Sequence, residues 1–190
     1  RDLSDRVGYL NIRNTLMALL KLRVIPIINE NDVVAIDELD GDGFGDNDNL
    51  SAMVANFVDA DLLIMLGEMD GLYTSDPHKD PGARLIPRVE RMTEQIEALG
   101  GASWDEKGRG GMTTKLEAAK LATASGVDVV IAGGRTPDVI ILLTSGEQIG
   151  TTFPACGTKM ESRKRWMLSG LSNKGEIRVD DGAAHAVIGN

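Results

Sequence analysis

Apolar residues arrive in short runs along this chain, and the runs alternate between two spacings. Three short runs are bounded by polar or turn residues, at 24–28, 62–66 and 127–131, the last interrupted once by Asp128. Runs of this length, rich in Val, Ile and Leu, predict strands buried on both faces of a largely parallel sheet. Between them the apolar positions recur at helical spacing. A first helix is expected from a cap at Ser4 or Asp5 to about Lys21, with Leu10, Leu16, Met17, Leu19 and Leu20 as its apolar face. A second runs over 49–59 with Leu50, Met53, Val54 and Phe57 inward, and a third over 93–99. Thr114 followed by Glu117 has the form of a capping box, opening a fourth helix that stops at Gly126. Residues 76–82, with two prolines and a glycine, predict a turn, and a short extended segment is expected at 84–89. Strand and helix alternate, so the expected architecture is α/β, an open sheet with helices on both faces. Ligands then belong beyond the carboxyl ends of the strands.

Past Phe153 the texture changes. Residues 159–165 are basic, 170–175 read as a linker, and 175–187 read as a strand followed by a helix, so a second, truncated domain is expected to begin near Lys174. The chain starts without Met inside a helical pattern and stops just after a helix-like run, which reads as an internal piece of a longer protein.

Charge and composition narrow the function. The 190 residues carry a formal charge of −9, which argues against a protein built to wrap nucleic acid or an anionic membrane. The single cysteine, Cys156, excludes an internal disulfide and points to a reducing, cytoplasmic setting. No membrane span and no signal pattern is expected. His78 and His185 lack metal-type spacing, and Trp104 and Trp166 read as packing residues, Trp104 with a second reading as a border of an adenine site.

Three polar segments fall at or after strand ends. The first is Asn29-Glu30-Asn31-Asp32. The second, 41–49, alternates glycine with Asp42, Asp46, Asn47, Asp48 and Asn49. Tested as a calcium loop from Glu38 it fails, because Asn49 stands where a bidentate Glu is required and a strand, not a helix, precedes it. Its acidic and amide residues instead open the following helix, whose free N–H groups suit an anion. The third is Gly108-Arg109-Gly110-Gly111-Met112-Thr113-Thr114-Lys115, a glycine-rich loop running into a helix. Without side chains, its backbone N–H groups can approach phosphate oxygens closely, although the spacing is not that of a Walker A loop. A lysine in a first helical turn opposes the macrodipole by about 0.3–1 kcal/mol, which suits a site where an anion sits. Together these segments suggest phosphoryl transfer.

The same residues carry a resemblance. The 24–32 run, Gly45-Asp46-Asn47-Asp48-Asn49-Leu50-Ser51-Ala52, Gly71-Leu72-Tyr73-Thr74-Ser75-Asp76-Pro77, Gly110-Gly111-Met112-Thr113-Thr114-Lys115 and Arg163-Lys164-Arg165-Trp166 resemble, in order and spacing, the glutamate 5-kinases of the amino-acid kinase superfamily. The resemblance implies a three-layer αβα sandwich, here incomplete, with a mostly parallel open sheet, and the start of a small C-terminal PUA-like β domain. Residues 1–155 would be the C-terminal part of the kinase domain, 156–174 a linker and 175–190 the PUA-like start. The implied activity is ATP-dependent phosphorylation of the side-chain carboxylate of L-glutamate, the first step of proline synthesis, with magnesium on the nucleotide. Asp32 and Asn47 match positions that hold glutamate, and Asp48 matches the acid that organises the catalytic lysines. Lys115 matches the lysine that neutralises the transferring phosphoryl. Arg109, Gly110, Gly111, Met112, Thr113 and Thr114, with Lys115, match the ATP loop. Gly67 and Glu68 stand at ATP-binding positions where the family usually has Thr-Asp. The family's N-terminal part, with its first-strand lysine, is absent from this sequence. Proline as feedback inhibitor and homo-oligomerisation are also implied, whereas RNA and membranes are not expected partners. Two other readings compete: a sibling kinase for aspartate or acetylglutamate, and an RNA-binding or regulatory module of the PUA type.

Overall fold

The computed structural model describes residues 6–29, 47–101 and 111–158. In chain order its elements are α1 (Arg6–Lys21), α2 (Asn47–Phe57), β1 (Leu62–Gly67), α3 (Glu94–Gly101), α4 (Met112–Ala124), β2 (Asp128–Gly133), α5 (Val139–Thr144) and β3 (Thr151–Phe153). The strands form one sheet in the order β1-β2-β3. β1 and β2 are parallel, with Leu62 opposite Asp128 and Gly67 opposite Gly133, and β3 runs antiparallel to β2. The sheet is therefore mixed among the described residues, not mostly parallel.

Alternation along the strands sends side chains to two separate cores. Met65, Val129, Ile131 and Phe153 face one side, where they meet Ala52 and Ala55 of α2 and Leu116, Ala118, Ala119 and Ala122 of α4. Val130 and Ala132 face the other, against Val139 and Leu143 of α5. Helices thus cover both faces, as the alternating pattern requires. The alanines of α2 and α4 let those helices lie close together, and this packing brings their N-terminal ends to the carboxyl end of β1.

Several boundaries differ from expectation for identifiable reasons. Residues 24–28 form no strand. Arg23 turns left-handed at φ 59° and Val24 N–H bonds back to Leu19 O at 3.0 Å, closing α1, while Ile25 and Ile27 are 86% and 97% exposed. A strand exists only as a ladder, and the segment has no ladder partner among the described residues. The capping box at Thr114 and Glu117 is not formed either. α4 begins at Met112 with Gly111 as its N-cap and no side-chain cap bond, so Thr114 is already helical and unable to take the extended N-cap conformation. On α1, Leu16 is buried against Phe57, but Leu10 and Leu20 remain more than two-fifths exposed. The stop at Gly126 holds, with the glycine at φ 82° and Val127 N–H bonded to Ala122 O. So does the turn at 76–82, where the Ser75 hydroxyl and the Gly82 N–H hold the Asp80 carboxyl below its usual range.

β3 is joined to the loop after β1 by the backbone bonds from Thr152 N–H to Pro87 O and from Val89 N–H to Thr152 O, and by one buried hydroxyl. Thr151, with no exposed surface, accepts from Leu72 N–H at 2.8 Å and donates to Ile86 O at 2.7 Å. Thr151→Val keeps the shape and strands both backbone groups, so we expect a loss of about 2–3 kcal/mol. Urea denaturation should show the midpoint falling at unchanged slope; an unchanged midpoint would mean that the loop carries no weight in stability.

The PUA-like start, the caps at Ser4 and Asp5, Trp104 and the basic stretch beyond 158 lie outside the described residues. So do Asp32, Arg109 and Gly110 of the candidate site.

Candidate functional site

The site is assembled from three chain ends. α2 starts at Asn47, and its second residue, Asp48, places a carboxylate in the first turn, where the macrodipole favours it. α4 starts at Met112 with no side-chain cap, leaving the first-turn N–H groups without side-chain acceptors of that kind. β1 ends between them at Gly67.

Lys115 and Asp48 meet here. The lysine Nζ lies 2.8 Å from Asp48 Oδ1 and 2.9 Å from Oδ2, with side-chain exposures of only 16% and 13%. Thr114 Oγ1 sits 2.9 Å from both Asp48 Oδ2 and Gly111 O, so its single proton serves one of the two at a time. Thr113 Oγ1 donates to Gly100 O at 2.8 Å, tying the start of α4 to the end of α3. The Ser51 hydroxyl donates to Asp48 O at 2.6 Å and steadies the first turn of α2. The anion that a lysine in the first turn of α4 calls for is thus supplied by the protein itself. The result is an ammonium fixed in position by two carboxylate oxygens, at the carboxyl end of a parallel strand.

Gly67 gives that lysine room. A Cβ built there would stand 3.1 Å from Lys115 Cε, so the bare backbone of β1 is the floor over which the lysine stem passes. The next side chain, Glu68, points into solvent at 87% exposure. Gly134 N–H donates to Gly67 O at 2.8 Å, carrying the ladder one step past the end of β2. Just beyond, burial, with Asp70 beside it, pushes the Tyr73 phenol above its ordinary pKa.

Asn47, directly before Asp48, lines a cleft with Pro26, Ile28 and Asn29 against Leu62 and Leu63 of β1. Asn29 was not singled out by sequence reasoning, although it opens the Asn-Glu-Asn-Asp run that was. The structure therefore joins Asp48, Thr114, Lys115 and Gly67 in one place, puts Asn47 beside it in a cleft, and leaves Glu68 on the rim. Among the described residues no group of three or more His, Cys, Asp or Glu is placed to hold a metal ion. No described helix is long and apolar enough to cross a membrane.

Residues 2–133 match the model of the amino acid kinase family. The chain is 59% identical over 186 residues to the glutamate 5-kinase of Dehalococcoides mccartyi, covering 98% of this chain and 50% of that protein. It is 50% identical to the glutamate 5-kinase of Herpetosiphon aurantiacus over the same shares. The chain thus spans about half the length of these relatives. Among solved structures, the uridylate kinase of Archaeoglobus fulgidus is similar at 23% identity with a TM-score of 0.44, over 57% of this chain and 47% of its own. With the family model covering more than two thirds of its length, the chain belongs to the amino acid kinase family.

Proposed function

We propose that the protein containing this chain transfers the γ-phosphoryl of ATP to the side-chain carboxylate of L-glutamate, giving L-glutamyl 5-phosphate for proline synthesis. The observation that carries the reading is the Lys115 ammonium held by Asp48 at the carboxyl end of β1, in a chain 59% identical to a protein named for this reaction. A glutamate carboxylate oxygen attacks the γ-phosphorus in line, the bond to the bridging oxygen breaks, and ADP leaves with the electron pair. Charge spreads over the three equatorial oxygens, so catalysis is positioning and neutralisation. Lys115 would supply positive charge to those oxygens, and Asp48 would keep the ammonium from following the substrate. The uncapped start of α4, with Gly111, Met112, Thr113 and Thr114, offers N–H groups to the nucleotide phosphates. Arg109 and Gly110 would extend that loop, and Gly67 and Glu68 would border the nucleotide.

Magnesium would enter on the nucleotide as part of the substrate, since Mg²⁺ keeps much of its water and binds through phosphates with one or two carboxylates. The three-layer kinase sandwich over 1–155, a linker over 156–174 and a PUA-like start over 175–190 belong to the same reading, as do a homo-oligomer and a cytoplasmic setting. The protein at its relatives' length, assayed for glutamate-dependent ADP release and for acyl phosphate trapped by hydroxylamine, tests the reaction. ADP release equal with and without glutamate would overturn it.

Asp32 and Asn47 would bind the α-amino end of glutamate. Proline presents a similar amino and carboxylate end, so both ligands should share these residues. Asp32→Ala is expected to raise the glutamate KM and the proline inhibition constant together, by about tenfold or more each, the loss of one charge-assisted hydrogen bond. A steep rise in KM with proline inhibition untouched would separate the two sites.

A further inference from the structure

The rim of the site carries a second cation whose setting is the opposite of that of Lys115. Gly67 and Gly133 are opposite one another at the ends of β1 and β2, and Gly134 N–H continues the ladder to Gly67 O. The next residue on each chain is charged: Glu68 follows Gly67, and Arg135 follows Gly134. Arg135 Nη2 lies 3.7 Å from Glu68 Oε1, with both side chains 87% exposed. An ion pair this long and this wet contributes little, because water and salt screen it and two long side chains must be held still to keep it. The guanidinium, placed near the strand ends by the backbone, is consequently free to exchange partners. Lys115 has no such freedom, since its charge is already matched by Asp48 at 2.8 Å with little solvent access.

A nucleoside triphosphate brings three to four negative charges, and the Lys115–Asp48 pair is neutral overall. At the strand ends Gly67 and Gly134 carry no side chain, whereas Gly133 is covered by Asp70, whose Oδ1 would overlap a Cβ built there. Phosphate oxygens lying over Gly67, clear of the Asp70 carboxylate, would meet Lys115 from the helix side and an arginine from the rim. Guanidinium suits phosphate through its fork of N–H donors, which can engage two oxygens at once. We propose that Arg135 is a second cationic contact for the nucleotide's phosphates, parked on Glu68 when the site is empty and moving to the phosphates when it fills. The inference rests on the nucleotide reading above and adds a residue to it.

The test uses the protein at its relatives' length, with Mg-ATP binding measured by calorimetry and adenosine measured as a competitive inhibitor. Arg135→Ala is expected to weaken Mg-ATP about tenfold, equivalent to about 1.4 kcal/mol. Arg135→Lys should recover part of that loss, and adenosine, lacking phosphates, should compete equally well against wild type and variants. The Mg-ATP loss should shrink in 0.5 M salt, where exposed charges are screened. Since Arg135 is exposed, thermal unfolding of the variants should match wild type. Unchanged Mg-ATP affinity in Arg135→Ala would overturn the proposal while leaving the kinase reading in place. An equal loss for adenosine would overturn it too, by moving the contact to the nucleoside. Failure of the wild type to bind Mg-ATP would remove both readings.

Discussion

Asp48→Ala, in the protein at its relatives' length, is expected to lower glutamate-dependent turnover at least about 10²–10³-fold, the range for losing one preorganised electrostatic group from a transition-state site. The substitution removes both acceptors of the Lys115 ammonium and one of the two acceptors near Thr114 Oγ1. An ammonium without that anchor, still largely buried, is drawn toward water or toward the substrate, and the geometry that separates ground state from transition state is lost. Asp48→Asn is the informative companion, because it keeps an acceptor for Thr114 but not the charge. It should lose nearly as much turnover while retaining more stability. Far-UV circular dichroism should be unchanged in both, since Asp48 lies at a helix start and outside the buried clusters. A double-mutant cycle with Lys115→Met should be strongly non-additive, the two single losses not summing in the double variant. Wild-type turnover in Asp48→Ala would sink the assignment.

Gly150→Ala should have the largest effect on folding. The glycine sits at φ 78°, and a Cβ there would overlap Ile131 O and stand 3.0 Å from Ala132 Cα and Cβ. Those atoms are backbone and short side chain of the buried central strand, so nothing flexible can yield. Left-handed strain and overpacking act together, for an expected loss of roughly 3–5 kcal/mol. Against a typical total of about 5–15 kcal/mol, this should bring the protein near its unfolding threshold at 37 °C. Gly146→Ala is the control: its φ is 97° but a Cβ there meets nothing within 4 Å, so it isolates the conformational part. Equal melting temperatures for the two variants would show that the clash with β2 is relieved by movement of the turn before β3.

The helices and the central strands were legible because their signals are periodic and long. Leu50, Met53 and Val54 set the direction of α2, and the short, mostly apolar runs of β1 and β2 announced strands covered on both faces. The candidate pair was legible too, since Asp48 and Lys115 each sit in a polar, glycine-flanked helix start. That they answer one another was implied only by the family resemblance, because nothing local links residues 67 positions apart. α5 and β3 were missed for the opposite reason. They are six and three residues long, too short for a period to declare itself. The run at 24–28 misled because a strand is a property of a pair of segments, and hydrophobicity reports only one of them. At Thr114 the capping-box pattern misled because α4 starts two residues earlier, at Met112, which leaves the hydroxyl inside the helix and within reach of both Gly111 O and the Asp48 carboxylate.

The separation of Asp48 from Lys115 also bears on how the molecule comes together. Closing a 67-residue loop costs chain entropy before any contact across it is rewarded, and parallel pairing of β1 with β2 spans the same stretch of chain. The two helix starts can meet only once that stretch of chain has closed. A chain that carries the bridge has therefore already closed the loop between the two helix starts. Chemistry competence and foldedness coincide at one contact, so a partly collapsed chain would retain helices yet hold no organised charge with which to act on a nucleotide.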